Sequence, residues 1–295
     1  MGELTRRVSC VVPTHGRDEM LAEAVRSVLN QTVVPFEIFV VDDLGSDATR
    51  RTVEALAGQS NVPLLYRAIE SGIPGSAGLS RNRGAECVSG DLIAFLDDDD
   101  LWEPTFLDAA LARFNSENVV MAVAWTVFQR ADYRGDGLQI APALRPEDAL
   151  GTNPGLTGSN FVILRDAFVR LGGFDPELWV ANDKDFLIRF LDANLTYAVV
   201  PQPLVLQRAH DEGQLTSRTE RRAQGLERFM QKYSDRLDRR DRRRIRHAIY
   251  SIRRTTSAYR SGRALYLVLQ ALTYSGNGLF VAIGGRLRGK PVLYR

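Results

Sequence analysis

The chain has 295 residues, 44% of them hydrophobic and 25% charged, with a formal net charge of +2. That length holds one large α/β domain plus an appendage, and the composition excludes a disordered or collagen-like chain. A balance so close to neutral gives no reason to expect nucleic acid as a partner.

The only cysteines, Cys10 and Cys87, each sit in an apolar stretch. That suits buried thiols in a reducing, cytoplasmic setting better than a disulfide framework. Met1 to Arg7 runs straight into a strand-like segment without a long apolar core, so no signal peptide is expected.

Val8 to Val12 is a short apolar run closed by Pro13, the pattern of a buried parallel strand. From Asp18 to Asn30, Met20, Leu21, Ala24, Val25, Val28 and Leu29 recur at helical spacing, with Asp18 a candidate cap. Strands over 36–41, 62–68 and 92–96 then alternate with helices over 47–56 and 77–88. This alternation predicts an α/β fold with a Rossmann-like, doubly wound and mainly parallel sheet. Such sheets bind ligands at the carboxyl ends of their strands, near a topological switch point. Thr14-His15, Asp42-Asp43 and Asp97 to Asp100 each follow a strand, so all three fall on one rim.

Val119 to Gln129 reads as a longer strand, and a Gly-, Asp- and Pro-rich loop follows it to Pro154. Phe161 to Leu164 is a further strand, and another helix begins near Asn182. Between Arg218 and Arg254 there are fourteen Lys/Arg against five Asp/Glu, with helix-compatible spacing. The expected organisation is a main domain over 1–215 and a basic helical C-terminal region over 216–295.

Four consecutive aspartates repel one another, and a hard divalent cation shared with phosphates would relieve that repulsion. A solvated acidic turn is the plainer alternative. Asp42-Asp43 could accept hydrogen bonds from a ribose or a base, or could cap a helix, for which Ser46 and Asp47 are equally suited. Arg81, in Ser80-Arg81-Asn82-Arg83, could neutralise a diphosphate or pair with the acidic rim. Neither a G-x-G-x-x-G after the first strand nor a G-x-x-x-x-G-K-[ST] is present, and Gly72 to Gly78 fits neither pattern.

Several ordered motifs together resemble the family 2 glycosyltransferases of the GT-A fold, over roughly residues 7–210. Val11-Val12-Pro13-Thr14-His15-Gly16-Arg17 looks like the family's opening strand and nucleotide loop. Val40-Val41-Asp42-Asp43-Leu44-Gly45-Ser46-Asp47 is similar to its V-D-D-x-S-x-D segment, with one extra residue before the serine. Arg81-Asn82 followed by Gly90-Asp91-Leu92-Ile93-Ala94-Phe95-Leu96-Asp97-Asp98-Asp99-Asp100 looks like its R-N and F-L-D-x-D-D block. Gly172-Gly173-Phe174-Asp175 precedes Asn182-Asp183, where Asn182 replaces the usual glutamate.

The resemblance implies a catalytic domain whose nucleotide-sugar half covers about 1–100 and whose acceptor half covers about 101–215. It implies an inverting transfer from a nucleotide-sugar donor, a UDP- or TDP-sugar, to a saccharide, lipid-linked or small-metabolite acceptor, with Mg²⁺ or Mn²⁺ as cofactor. Pro13, Thr14, His15, Arg17, Asp43, Arg81, Asp97, Asp98 and Asn182 would bind substrate, with Thr14, His15 and Asp43 on the nucleoside and Asp97 near the ribose or sugar. Asp99, with His210, would hold the metal, and Asp98 and Asp100 could also be structural. Asp183 would be the general base, opening a helix whose dipole favours its ionised form. Asp185 is the second choice and Asp175 the third, and a plain N-cap is the alternative for Asp183. Trp179, in the loop before that helix, and Trp102 could each stack on a sugar or lie in the core.

Arg239-Arg240 and Arg242-Arg243-Arg244 could meet anionic head groups or form a solvated face. The uncharged stretch from Ala264 to Gly285 is long enough to span a bilayer, but its middle carries Gln270, Thr273, Ser275 and Asn277. An apolar helix packed on the domain, on a partner subunit in a homodimer, or on a membrane surface is the expectation. A nucleotidyltransferase and a non-catalytic sugar-nucleotide-binding protein are the competing functions.

Overall fold

A computed structural model describes residues 6–69, 77–115, 118–130, 133–209 and 218–273. The chain divides into two compact units, Met1–Ala149 with Asn153–Asp211, and Leu150–Thr152 with Glu212–Arg295.

The first unit opens with β1 (Val8–Thr14), α1 (Asp18–Leu29), β2 (Glu37–Asp42), α2 (Asp47–Ala57), β3 (Leu64–Ala68), α3 (Ala77–Ala85) and β4 (Leu92–Phe95). It continues through β5 (Asp100–Trp102), α4 (Phe106–Leu111), β6 (Val119–Arg130), β7 (Tyr133–Asp136), β8 (Phe161–Leu164), α5 (Arg165–Arg170), α6 (Asn182–Asp192) and β9 (Thr196–Arg208). The strands form one sheet in the order β3-β2-β1-β4-β8-β6-β9-β5, with β7 paired to β6. The chain leaves β1 toward β2 and returns on its other side as β4, which makes the switch point between β1 and β4.

The mainly parallel pairing expected is found in β3-β2-β1-β4 and again between β6 and β9. β8 enters antiparallel to both β4 and β6, so the second half of the sheet is mixed. Side chains alternate across β1: Val8, Cys10 and Val12 join a core with Leu21, Val25, Ile38, Val40 and Leu96. Phe95, Phe161, Phe168, Phe174 and Phe186 form an aromatic cluster, with ring centroids 5.1–6.4 Å apart. Gly84 lets α3 lie close on β1, because a Cβ there would collide with Val11.

Two capping expectations resolve. Ser46 caps α2, accepting from the Ala48 and Thr49 N–H groups. Asp18 does not cap α1; Arg17 holds that position without a side-chain bond. Asp18 lies in the first turn and accepts the Thr49 hydroxyl at 2.7 Å, which ties α1 to α2.

The second unit contains α7 (Glu220–Lys232), α8 (Arg239–Thr256) and α9 (Arg260–Leu272). Thr219 and Asp238 cap the first two, and Arg253 of α8 pairs with Glu220 and Glu227 of α7. Among the described residues no helix is long and apolar enough to cross a membrane.

Candidate active site

The carboxyl ends of β1, β2 and β4 converge. At the end of β2, Asp42 is buried and accepts the Leu44 and Ser46 N–H groups and the Tyr66 hydroxyl, at 2.9, 2.7 and 2.9 Å. Burial, reinforced by Asp42, pushes the Tyr66 phenol up to about 12. Asp42 thus shapes the loop, and its neighbour Asp43 takes the rim position, 2.6 Å from His15 Nδ1. His15 is itself exposed beyond the buried Pro13 and Thr14.

The four aspartates separate into two groups. Asp98 is fully buried, where it accepts the Thr14 hydroxyl at 2.7 Å and the His15 N–H at 3.3 Å. Arg17 grips both its oxygens, at 3.2 and 2.5 Å, and reaches Asp99 Oδ2 at 3.0 Å. Burial opposes the Arg17 charge, but Asp98 and Asp99 overcome it and hold the guanidinium above its ordinary value. Burial also raises the Asp98 carboxyl, against Arg17 and Thr14. Asp98, expected to bind substrate or to be structural, has both oxygens engaged by groups of the protein itself.

Asp97, Asp99 and Asp100 remain, each offering an oxygen within 4.8 Å of the others. Asp100 opens β5 opposite Gln207. Burial, with Asp99 and Asp97 beside it, pushes its carboxyl well up, opposed by the Ser159 hydroxyl and the Arg208 backbone N–H. An all-oxygen set of crowded carboxylates fits a hard divalent cation such as Mg²⁺ or Mn²⁺, and no thiol or imidazole joins the group among the described residues. His210, expected as a further ligand, lies outside the described residues, as does most of Gly72 to Gly78.

Arg81 is 3% exposed and pairs with Asp97, its guanidinium 5.2 Å from the centre of the Phe174 ring. It passes through space that a side chain on Gly158 would occupy. Asn82, the next residue, accepts the Phe174 N–H at 2.9 Å and donates to the Phe174 carbonyl at 2.7 Å, pinning the Gly173–Phe174 turn.

Asp183 is the second residue of α6, so it is not the N-cap; that position is Ala181, held left-handed at φ 61°. A non-glycine residue in that region is strained, and such strain gathers where a side chain must be aimed. Asn153 donates to Asp183 Oδ2 at 3.1 Å, and the Lys184 N–H to Oδ1 at 2.7 Å. Asp183 keeps an exposed edge, yet burial raises its carboxyl against the Lys184 N–H and Arg81.

Asp185 is fully buried and paired with Arg189 at 2.8 Å, so it offers no edge to an acceptor. Asp175 accepts the Glu177 N–H within its own turn. Asn182 is buried against Gly78. Trp102 is core, donating to the Ser159 carbonyl at 2.8 Å and packing on Phe106, whereas Trp179 is half-buried before α6.

Ser159, Asn153 and Arg208 were not legible as site residues. Ser159 donates toward Asp100, and its Oγ accepts the Asp97 N–H at 3.1 Å. Arg208 Nε donates to the Asp99 carbonyl at 2.6 Å. A clue existed only for Arg208, which lies two residues before His210.

A switch-point rim with a carboxylate cluster, on a sheet whose second half turns mixed, defines a GT-A-type architecture. The mannosyltransferase PcManGT from Pyrobaculum calidifontis, solved with GDP-Man and Mn²⁺, shares this fold at a TM-score of 0.62, with 19% identity over 96% of this chain and 80% of that one. Residues 9–172 match the family model described as glycosyl transferase family 2, and the chain belongs to that family. The glucosyl-dolichyl phosphate glucuronosyltransferase of Haloferax volcanii is 29% identical over 60% of this chain and 59% of its own length. The putative colanic acid biosynthesis glycosyl transferase WcaA of Escherichia coli is 26% identical over 86% of this chain and 91% of its own length. The chain spans about half the length, or less, of several other curated relatives it matches.

Proposed function

We propose that the protein is a metal-dependent, inverting glycosyltransferase that moves a sugar from a nucleotide-diphosphate donor to an acceptor hydroxyl. The observation that carries this reading is the cluster of Asp97, Asp99 and Asp100, whose oxygens lie within 4.8 Å of one another at the switch-point end of the sheet; Asp183, half-buried and held by Asn153 at 3.1 Å, is the candidate base beside it in this reading. Asp43 and His15 would receive the nucleoside at the β1–β2 end of the rim. Asp97, Asp99 and Asp100 would hold Mg²⁺ or Mn²⁺. When bound, such an ion stabilises the charge of a departing diphosphate. Asp183 would take the acceptor proton as attack proceeds, and with one base and no protein nucleophile the displacement inverts the anomeric carbon.

The Haloferax relative's name specifies a dolichyl phosphate-linked sugar, which supports a lipid-linked acceptor here. The working place that follows is the inner face of a membrane, with the protein bound peripherally. The donor we expect is a UDP- or TDP-sugar, with GDP-sugars as the comparison.

A thermal-shift screen of nucleotide sugars with Mn²⁺, followed by transfer assays and NMR of the product's anomeric proton, tests the reading. Release of a nucleoside diphosphate with inverted product is expected. Retention of configuration would sink the single displacement, and pyrophosphate release from a nucleoside triphosphate would favour a nucleotidyltransferase instead.

A further inference from the structure

Helix α9 leaves an apolar stripe uncovered on its outer side. Leu265, Val268 and Leu272 recur at helical spacing on its outer side and are 56, 57 and 74% exposed, with Leu267 beside them. Its inner side carries the buried Gln270, whose amide lies 3.1 Å from His247 Nε2, and Thr273, whose hydroxyl lies 2.7 Å from His247 Nδ1. A helix facing water normally keeps such an apolar stripe covered.

A cleft of about 450 Å³ adjoins this stripe, lined by Arg254 and Thr255 of α8 and by Arg263, Ala264 and Leu267 of α9. The buried Nε of Arg254 has no hydrogen-bond partner. The Arg263 side chain donates from Nε to the Ser257 carbonyl, at 2.8 Å. Neither arginine has a carboxylate partner among the described residues, in contrast to the doubly paired Arg253. Two uncompensated guanidinium groups beside an apolar wall match an anionic phospholipid, with phosphate on the arginines and acyl chain along the leucines. A second copy suits the surface less well, because a symmetric contact would bring the same cations together.

We infer that the α8–α9 face is a membrane-docking surface, in which Arg254 and Arg263 hold the phosphate of an anionic phospholipid and Leu265, Val268 and Leu272 enter the bilayer interface. This rests on the reading that the protein meets its acceptor at a membrane, and it is tested without any transfer assay. The full chain is floated with phosphatidylcholine vesicles and with vesicles containing added phosphatidylglycerol. The wild type is expected to partition onto the anionic vesicles, and Arg254→Gln with Arg263→Gln to lower that partitioning roughly thirtyfold. Val268→Asp with Leu272→Asp should abolish it.

A second measurement leaves the charges in place: Leu272→Trp should give a blue-shifted emission component only with anionic vesicles. No binding by the wild type overturns both the docking surface and the peripheral reading. Binding that both pairs of substitutions leave intact overturns the surface alone. So does a wild-type dimer that Val268→Asp with Leu272→Asp makes monomeric while vesicle binding persists.

Discussion

Thr14 donates its hydroxyl to Asp98 at 2.7 Å, joining the ends of β1 and β4 at the switch point of the sheet. That bond, with Arg17 on the same carboxylate, takes one aspartate out of a run of four and leaves three to face one another.

Arg17→Met should therefore act first on stability. It leaves the buried Asp98 carboxylate without its cationic partner, and breaking such a pair costs about 3–5 kcal/mol. Urea unfolding of both proteins gives the difference directly; a loss below about 1 kcal/mol would show that Arg17 is not the group that compensates Asp98.

Mn²⁺ should raise the melting temperature of the wild type, and a chelator should reverse the gain. At a hundred times the dissociation constant, linkage gives about 2.7 kcal/mol. Asp99→Asn and Asp100→Asn should each lose most of that response. An unchanged response in Asp100→Asn removes this residue from the ligand set.

Asp183→Asn should lower transfer by about 10²–10⁴-fold without unfolding the protein. The sign follows from the shift: burial raises the folded-state carboxyl above its ordinary 3.8. Its stabilising contribution is then complete below the unfolded value and lost as pH rises through the folded one. At neutral pH the charged form is thus a burden that Asn removes, so the melting temperature should hold or increase. In the wild type, the acid limb of kcat/KM should fall at a higher pH than an ordinary aspartate would give. Calorimetry and a pH–rate profile check the two halves separately.

Asn153→Ala tests positioning. Without its N–H the Asp183 carboxylate loses a bond that favours the charged form, so the acid limb should move to still higher pH. The change should appear in kcat more than in KM; a pure KM effect would assign Asn153 to substrate binding.

Gly158→Ala should displace Arg81, because the new Cβ would collide with the guanidinium. Overpacking of this kind costs about 1–3 kcal/mol, and the loss of the Arg81–Asp97 pair should raise the donor KM. Unchanged stability and KM would show that the neighbouring backbone yields freely.

The strands and helices of the first hundred residues could be read because their apolar periods are local properties. Val8 to Val12 and Leu92 to Leu96 each carry their burial in their own composition, and the rim position of the acidic pairs follows from their place after such strands. The motifs Asp42-Asp43 and Asp97 to Asp100 were visible for the same reason. Their division of labour was not: which aspartate faces inward depends on Thr14 and Arg17, 84 and 81 residues away. Asn153 gave no signal, since an isolated asparagine in a glycine- and proline-rich loop is ordinary turn chemistry.

Sequence by itself determined the alternation that builds the sheet, the switch-point rim and the identity of the acidic side chains placed there, all through hydrophobic periodicity and short ordered motifs. Only the tertiary structure decided that Asp98 is a fastening for the rim, that Asp100 joins Asp97 and Asp99, and that Asp185 is spoken for by Arg189. The physical reason is that burial and charge compensation are set by groups distant in the chain. A carboxylate's role is fixed by which cation or hydroxyl the fold brings to it, and no local spacing records that.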